Sequence, residues 1–110
     1  MDTHKTEILL YETAHGRLPF EAWLEGLKDR KARAIIRARL DRLEAGNAGR
    51  CDAVGDGVLE LKIHFGAGYR VYFALENRSR AILLFGGDKS TQKQDIKKAR
   101  EFWRAHKEKR

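Results

Sequence analysis

The spacing of apolar positions in this chain changes period several times, and each change predicts an element. Residues 6–12, TEILLYE, form a short apolar run suited to a strand. HGRL then turns the chain, and Pro19 suits the first turn of a helix, where its missing N–H costs nothing. Phe20, Trp23, Leu24 and Leu27 follow on one helical face. A second helix places Ala32, Ile35, Ile36, Leu40 and Leu43 on its apolar side, with Arg33, Arg37 and Arg39 pointing elsewhere, and Gly46-Asn47 stops it. The clearest pattern comes next. Leu59, Leu61, Ile63 and Phe65 alternate with Glu60, Lys62 and His64; past Gly66-Ala67-Gly68, Tyr69, Val71, Phe73 and Leu75 alternate with Arg70, Tyr72 and Ala74. Period 2 on both sides of a glycine turn is a hairpin. AILLF adds a third strand. KQDIKKAREFWRAH is a last helix with Ile96, Ala99 and Trp103 on one face, and Thr91 and Gln94 have capping-box spacing at its start.

The order β-α-α-β-β-β-α predicts an α+β domain with one sheet face on helices and the other polar. At 110 residues the chain fits one domain spanning 1–110. GNAGRCDAVGDG, residues 46–57, reads as a flexible connection rather than a boundary, because neither side is large enough to fold alone.

LLFGGDKSTQ has the outline of a nucleotide-binding loop: strand, glycines, Lys-Ser, helix. The spacing denies it. Such a loop needs glycine directly before the lysine and another five residues earlier; here Asp88 and Leu83 stand at those places. Asp88 would repel a triphosphate. Lys89 is then left to face some other phosphate, with Ser90 or Thr91 capping the last helix.

Charge sharpens this. Residues 1–56 hold ten Lys/Arg and ten Asp/Glu, whereas residues 57–110 hold thirteen and six, so the net +7 lies wholly in the second half. A one-sided positive field points to a polyanionic partner. Mean hydropathy is −0.63, and no stretch approaches a membrane span. With no secretory segment after Met1 and Cys51 as the one cysteine, the expected setting is cytoplasmic.

The hairpin alternation gathers Glu60, Lys62, His64, Arg70 and Tyr72 on one face, with Lys89 at its rim. The bland reading is a solvated face with ordinary cross-strand ion pairs. The chemical reading is a phosphodiester site. Arg70 clamps a phosphate with its planar fork, Lys62 and Lys89 add positive charge, and His64 moves a proton near neutral pH. Tyr72 stacks on a base. Arg37, Lys93 and Lys97 are further candidate RNA contacts. Ribose brings its own 2′-OH as nucleophile, so this chemistry calls for no cofactor and no metal. His4, His15, His64 and His106 show no ligand spacing.

LELKIHFGAGYRVYF followed by LLFGGDKSTQKQDIKKA resembles the addiction-module killer proteins of the RelE/ParE toxin superfamily, in particular the HigB-like, phage-derived branch. LPFEAWLEGLKD and GDGVLELKI fit as well, so the resemblance covers about residues 5–104. It implies a RelE-like α+β fold with an antiparallel-rich sheet, two N-terminal helices and a C-terminal helix. It implies the toxin of a type II toxin–antitoxin pair: an mRNA interferase that cuts mRNA on the ribosome, without metal, by 2′-OH attack. The implied partners are the ribosome, mRNA and a cognate antitoxin, often a helix-turn-helix protein, with DNA bound only through the antitoxin complex. Lys62, Arg70 and Lys89 fall on the family's basic positions. The departure is the last helix, which has Phe102, Trp103 and His106 but no tyrosine. His64 or Lys62 is then the expected proton acceptor. The superfamily also includes gyrase inhibitors without nuclease chemistry, so the alternatives are a gyrase inhibitor or an inactive basic nucleic-acid-binding module.

Overall fold

A computed structural model describes residues 5–109; Met1 and His4 lie outside the described residues. The elements are β1 (Glu7–Leu10), α1 (Pro19–Glu25), α2 (Arg30–Glu44), β2 (Asp52–Ala53), β3 (Val58–Ile63), β4 (Tyr69–Asn77), β5 (Arg80–Asp88) and α3 (Gln92–Glu108), with one 3-10 turn over Lys89–Thr91 before α3. They form a mixed α+β architecture with a five-stranded sheet in the order β1-β5-β4-β3-β2. Strands β2 to β5 are antiparallel neighbours, while β1 joins the edge parallel to β5. The expected connection at 46–57 thus contains a short strand of its own, which pairs Asp52 with Glu60.

Local chemistry explains the helix ends. Pro19 opens α1. Asp29 opens α2, its carboxylate accepting from the Lys31 and Ala32 N–H groups at 3.0 and 3.1 Å. Gly46, at φ +84°, lets the chain leave α2 through the left-handed region.

The sheet is covered on both faces. Phe20, Leu24, Ile36 and Leu43 from α1 and α2 pack on Leu61, Ile63, Val71, Phe73 and Leu83. On the opposite face Ala99 and Trp103 of α3 pack on Val58, Tyr72, Ala74, Ile82 and Leu84. The expectation of one helix-covered face and one polar face is corrected: α3 folds back over the polar face. The Gly86-Gly87 pair makes this sandwich possible. A Cβ on Gly86 would collide with the Trp23 ring, and one on Gly87 would collide with the Asp95 carboxylate. Helical side chains therefore press on β5 from both faces at adjacent residues. These glycines serve close packing, not a phosphate cradle.

Candidate functional site

The β3–β4 hairpin fixes the site by register. Glu60 lies opposite Tyr72, and Lys62 opposite Arg70. All four project toward the α3 face, as the alternation predicts. Burial then separates them. Glu60 and Tyr72 are 2% and 0% exposed beneath α3, and Arg70 is 8% exposed. Glu60 Oε2 accepts from the Tyr72 hydroxyl at 2.9 Å and from Gln92 Nε2, in the first turn of α3, at 2.8 Å. The Arg70 Nε stands 3.7 Å from the same oxygen, an ion pair without a hydrogen bond, and that Nε has no other partner. Arg70 Nη1 donates to the Gly68 carbonyl at 2.8 Å. A buried carboxylate thus ties the hairpin to α3 and faces one guanidinium.

Burial, reinforced by the bond to Glu60, pushes the Tyr72 phenol well above its ordinary range. It stays protonated and serves as a donor. The expectation that Tyr72 stacks on a base is corrected: its ring is enclosed between sheet and helix.

The Arg70 guanidinium and the base of the Lys89 side chain both flank Gly68 at the hairpin turn. Gly68, at φ +78°, is so placed that a Cβ would lie 3.3 Å from Arg70 Nη1 and 3.5 Å from Lys89 Cβ. Lys89 is exposed in the 3-10 turn. That turn is capped by Asp88, whose Oδ1 accepts from the Ser90 N–H at 2.8 Å and its hydroxyl at 2.5 Å. The Thr91 hydroxyl instead donates to Asp95 Oδ2 at 2.5 Å. Thr91 occupies the N-cap position of α3, as expected, but its side chain makes no capping hydrogen bond, and no capping box forms with Gln94. Burial raises the Asp95 carboxyl above its ordinary value, partly offset by the Thr91 bond.

Lys62 and His64 line a cleft of about 380 Å³ together with Arg39, Arg50 and Asp52. Asp52 bridges Arg50 at 3.4 Å and Lys62 at 3.5 Å. Arg39 Nη1 donates to the Lys62 carbonyl at 3.3 Å, and its Nε is buried without a partner. Three cations against one carboxylate leave the cleft positive, with an imidazole at its wall. Since Lys62 and Arg70 are cross-strand neighbours, the cleft and the Gly68 corner are adjacent.

Arg39, Arg50 and Asp52 are the residues that sequence reasoning missed. Arg39 has a signal. It follows Ile36 by three residues and precedes Leu43 by four, which places it beside the buried stripe of α2. Arg37 has no such position. It is exposed and pairs with Glu25 of α1 at 3.4 Å, so the structure does not bring it to the cleft. Lys93 and Lys97 are exposed on α3. His106 bonds Glu76 at 2.8 Å and stacks on Trp103. Burial raises the half-buried Cys51 thiol. Among the described residues, no group of three His, Cys, Asp or Glu is placed to hold a metal ion, and no helix is long and apolar enough to cross a membrane.

Residues 22–104 match the family described as "Phage derived protein Gp49-like (DUF891)". A Haemophilus influenzae (strain Rd) protein, described only as an uncharacterized protein, is 52% identical over 83 residues, covering 76% of this chain and 84% of the relative. The family match takes in every cationic residue of the cleft and of the Gly68 corner.

Proposed function

The chain belongs to the phage-derived Gp49-like family, and from that premise we propose that it is the toxin of a type II toxin–antitoxin pair, an endonuclease that cuts mRNA on the ribosome. The observation that carries this reading is the adjacency of two cation groups across one strand pair. Arg39, Arg50, Lys62 and His64 line the cleft, and Arg70 and Lys89 flank Gly68 beside it. A phosphodiester spanning the two would have positive charge on both sides.

In this reading the ribose 2′-oxygen attacks the adjacent phosphorus. A 2′-O–P bond forms, the P–O5′ bond breaks, and a 2′,3′-cyclic phosphate and a 5′-hydroxyl result. His64 takes the 2′-OH proton, water protonates the departing 5′-oxygen, and Lys62, ion-paired to Asp52, supplies positive charge. Lys89 and the Arg70 guanidinium stabilise the charge that gathers on the non-bridging oxygens. Glu60 holds Arg70 at the correct height. A cognate antitoxin, in the resembling branch often a helix-turn-helix protein, would neutralise the activity.

Inducible expression with primer extension on a reporter mRNA tests this. The parent should produce new 5′ ends inside the translated frame, and Lys89→Ala and Arg70→Ala should lose them by a factor of about 100 or more. Growth arrest accompanied by a DNA-damage response, without new 5′ ends, would replace this reading with gyrase inhibition.

A further inference from the structure

Helix α3 begins beside the cationic end of the sheet and runs away from it. Its first turn is tied to Glu60 through Gln92; its last turns reach the opposite end of the sheet, where His106 bonds Glu76 of β4. Lys93, Lys97, Arg100 and Arg104 follow one another at spacings of four, three and four residues. At 100° per residue they fall within one narrow arc, opposite the face that buries Asp95 and Ala99, and they span roughly 16 Å. Lys93, Lys97 and Arg104 are exposed and Arg100 is partly so. Among the described residues neither Lys93 nor Lys97 has an ion-pair partner. Lys97, Arg100 and Arg104 line a shallow cleft of about 310 Å³ with Glu101 at its rim.

The far end of the stripe already holds an anion. Asp56 Oδ2 accepts from Arg100 Nε at 3.1 Å and from Arg104 Nη2 at 3.3 Å, setting two guanidiniums around one oxygen. Asp56 is the one non-glycine described residue in the left-handed region, at φ +56°. Its neighbours are Gly55 and Gly57. A Cβ on Gly55 would lie 3.1 Å from the Arg100 Cζ, and one on Gly57 would lie 3.1 Å from Trp103 Nε1. The loop therefore lies flat on α3 and delivers a carboxylate to the stripe.

We propose that the Lys93–Lys97–Arg100–Arg104 stripe is a track for the ribose-phosphate backbone of an RNA strand leading from the cleft, and that Asp56 occupies its terminal phosphate seat in the free protein. This extends the proposed nuclease site to a second contact surface and rests on that reading only for the choice of RNA as the polyanion. Charge complementarity, and the start of the stripe one residue after the Gln92 that binds Glu60 of β3, favour a nucleic-acid backbone, whose successive phosphates would meet cations about 4.5–6 Å apart along the helix axis.

The test is fluorescence anisotropy with a short fluorescein-labelled single-stranded RNA over a salt series. It requires neither ribosome nor cleavage, so it stands or falls separately from nuclease activity. Lys97→Gln/Arg104→Gln should bind about tenfold more weakly at low salt, with a log–log salt slope shallower by about 1.4, the value for two lost single-strand phosphate contacts. Asp56→Asn, which keeps a residue tolerant of the left-handed region, should bind more tightly with a steeper slope. Circular dichroism and the melting temperature confirm that each variant folds. Unchanged RNA affinity and slope in the double variant would overturn the track. It would be overturned even if a neutralising protein bound less well, since the stripe would then belong to that protein. Asp56→Asn binding no more tightly than the parent would overturn the seat.

Discussion

The two faces of the sheet come from the same strands but are built differently. The face under α1 and α2 is apolar from end to end: Leu61, Ile63, Val71, Phe73 and Leu83 meet Phe20, Leu24 and Ile36. The face under α3 is divided. Toward one end Val58, Ala74 and Ile82 meet Ala99 and Trp103. Toward the other, Glu60, Tyr72 and Arg70 are buried with Gln92 in a polar network. An apolar face needs only matched volume. A buried polar network needs every partner in place, because each unpaired group costs its full desolvation. The divided face accepts that cost at the end where Arg70 lies across the strand pair from Lys62 of the cationic cleft.

Substitutions that disturb one face and spare the other sharpen the contrast. The largest effect should come from Glu60→Ala. It strands the Tyr72 hydroxyl, the Gln92 amide and the buried Arg70 charge together, so urea unfolding should show a loss of about 3 kcal/mol or more. A loss under about 1 kcal/mol would mean that the network is not a structural unit. Gly87→Ala comes next. Its methyl would enter the Asp95 carboxylate while leaving the α1 face untouched, and the stability loss should be about 1–3 kcal/mol, read as a lower melting temperature. The smallest effect should be that of Tyr72→Phe, which removes one hydrogen bond and keeps the ring, at about 1 kcal/mol. The same variant should bind RNA as the parent does, since the ring is enclosed. Weakened RNA binding with stability unchanged would restore Tyr72 to the contact surface.

Much of this architecture is legible in the residues. Alternation in 58–75 marks the hairpin and sorts Glu60, Lys62, Arg70 and Tyr72 to one face, because side-chain direction in a strand has period 2 whatever lies above it. The same alternation is silent on what covers that face. A helix with Ile96, Ala99 and Trp103 on one side is compatible with either sheet face, so the burial of Glu60 and Tyr72 is not readable from it. Gly86-Gly87 suggests a loop because glycine pairs usually mark one; their packing role appears only when Trp23 and Asp95 arrive from distant segments. The cleft depends on similar convergence. Arg39 from α2, Arg50 and Asp52 from the 46–57 segment and Lys62 from β3 meet through tertiary packing alone. Arg37 and Arg39 look alike in an arginine-rich run. Only their phase against Ile36 and Leu43 tells the one that reaches the cleft from the one that pairs with Glu25.

If the cationic end of the sheet cuts RNA with the RNA's own 2′-hydroxyl, removing that hydroxyl must stop the reaction. The most direct measurement uses purified protein and ribosomes programmed with an mRNA carrying a 2′-deoxy nucleotide at a mapped cut. Unmodified mRNA should be cut to a 2′,3′-cyclic phosphate and a 5′-hydroxyl, and the deoxy substitution should abolish cutting at that position alone. Cleavage that persists at the deoxy nucleotide would contradict the proposed chemistry.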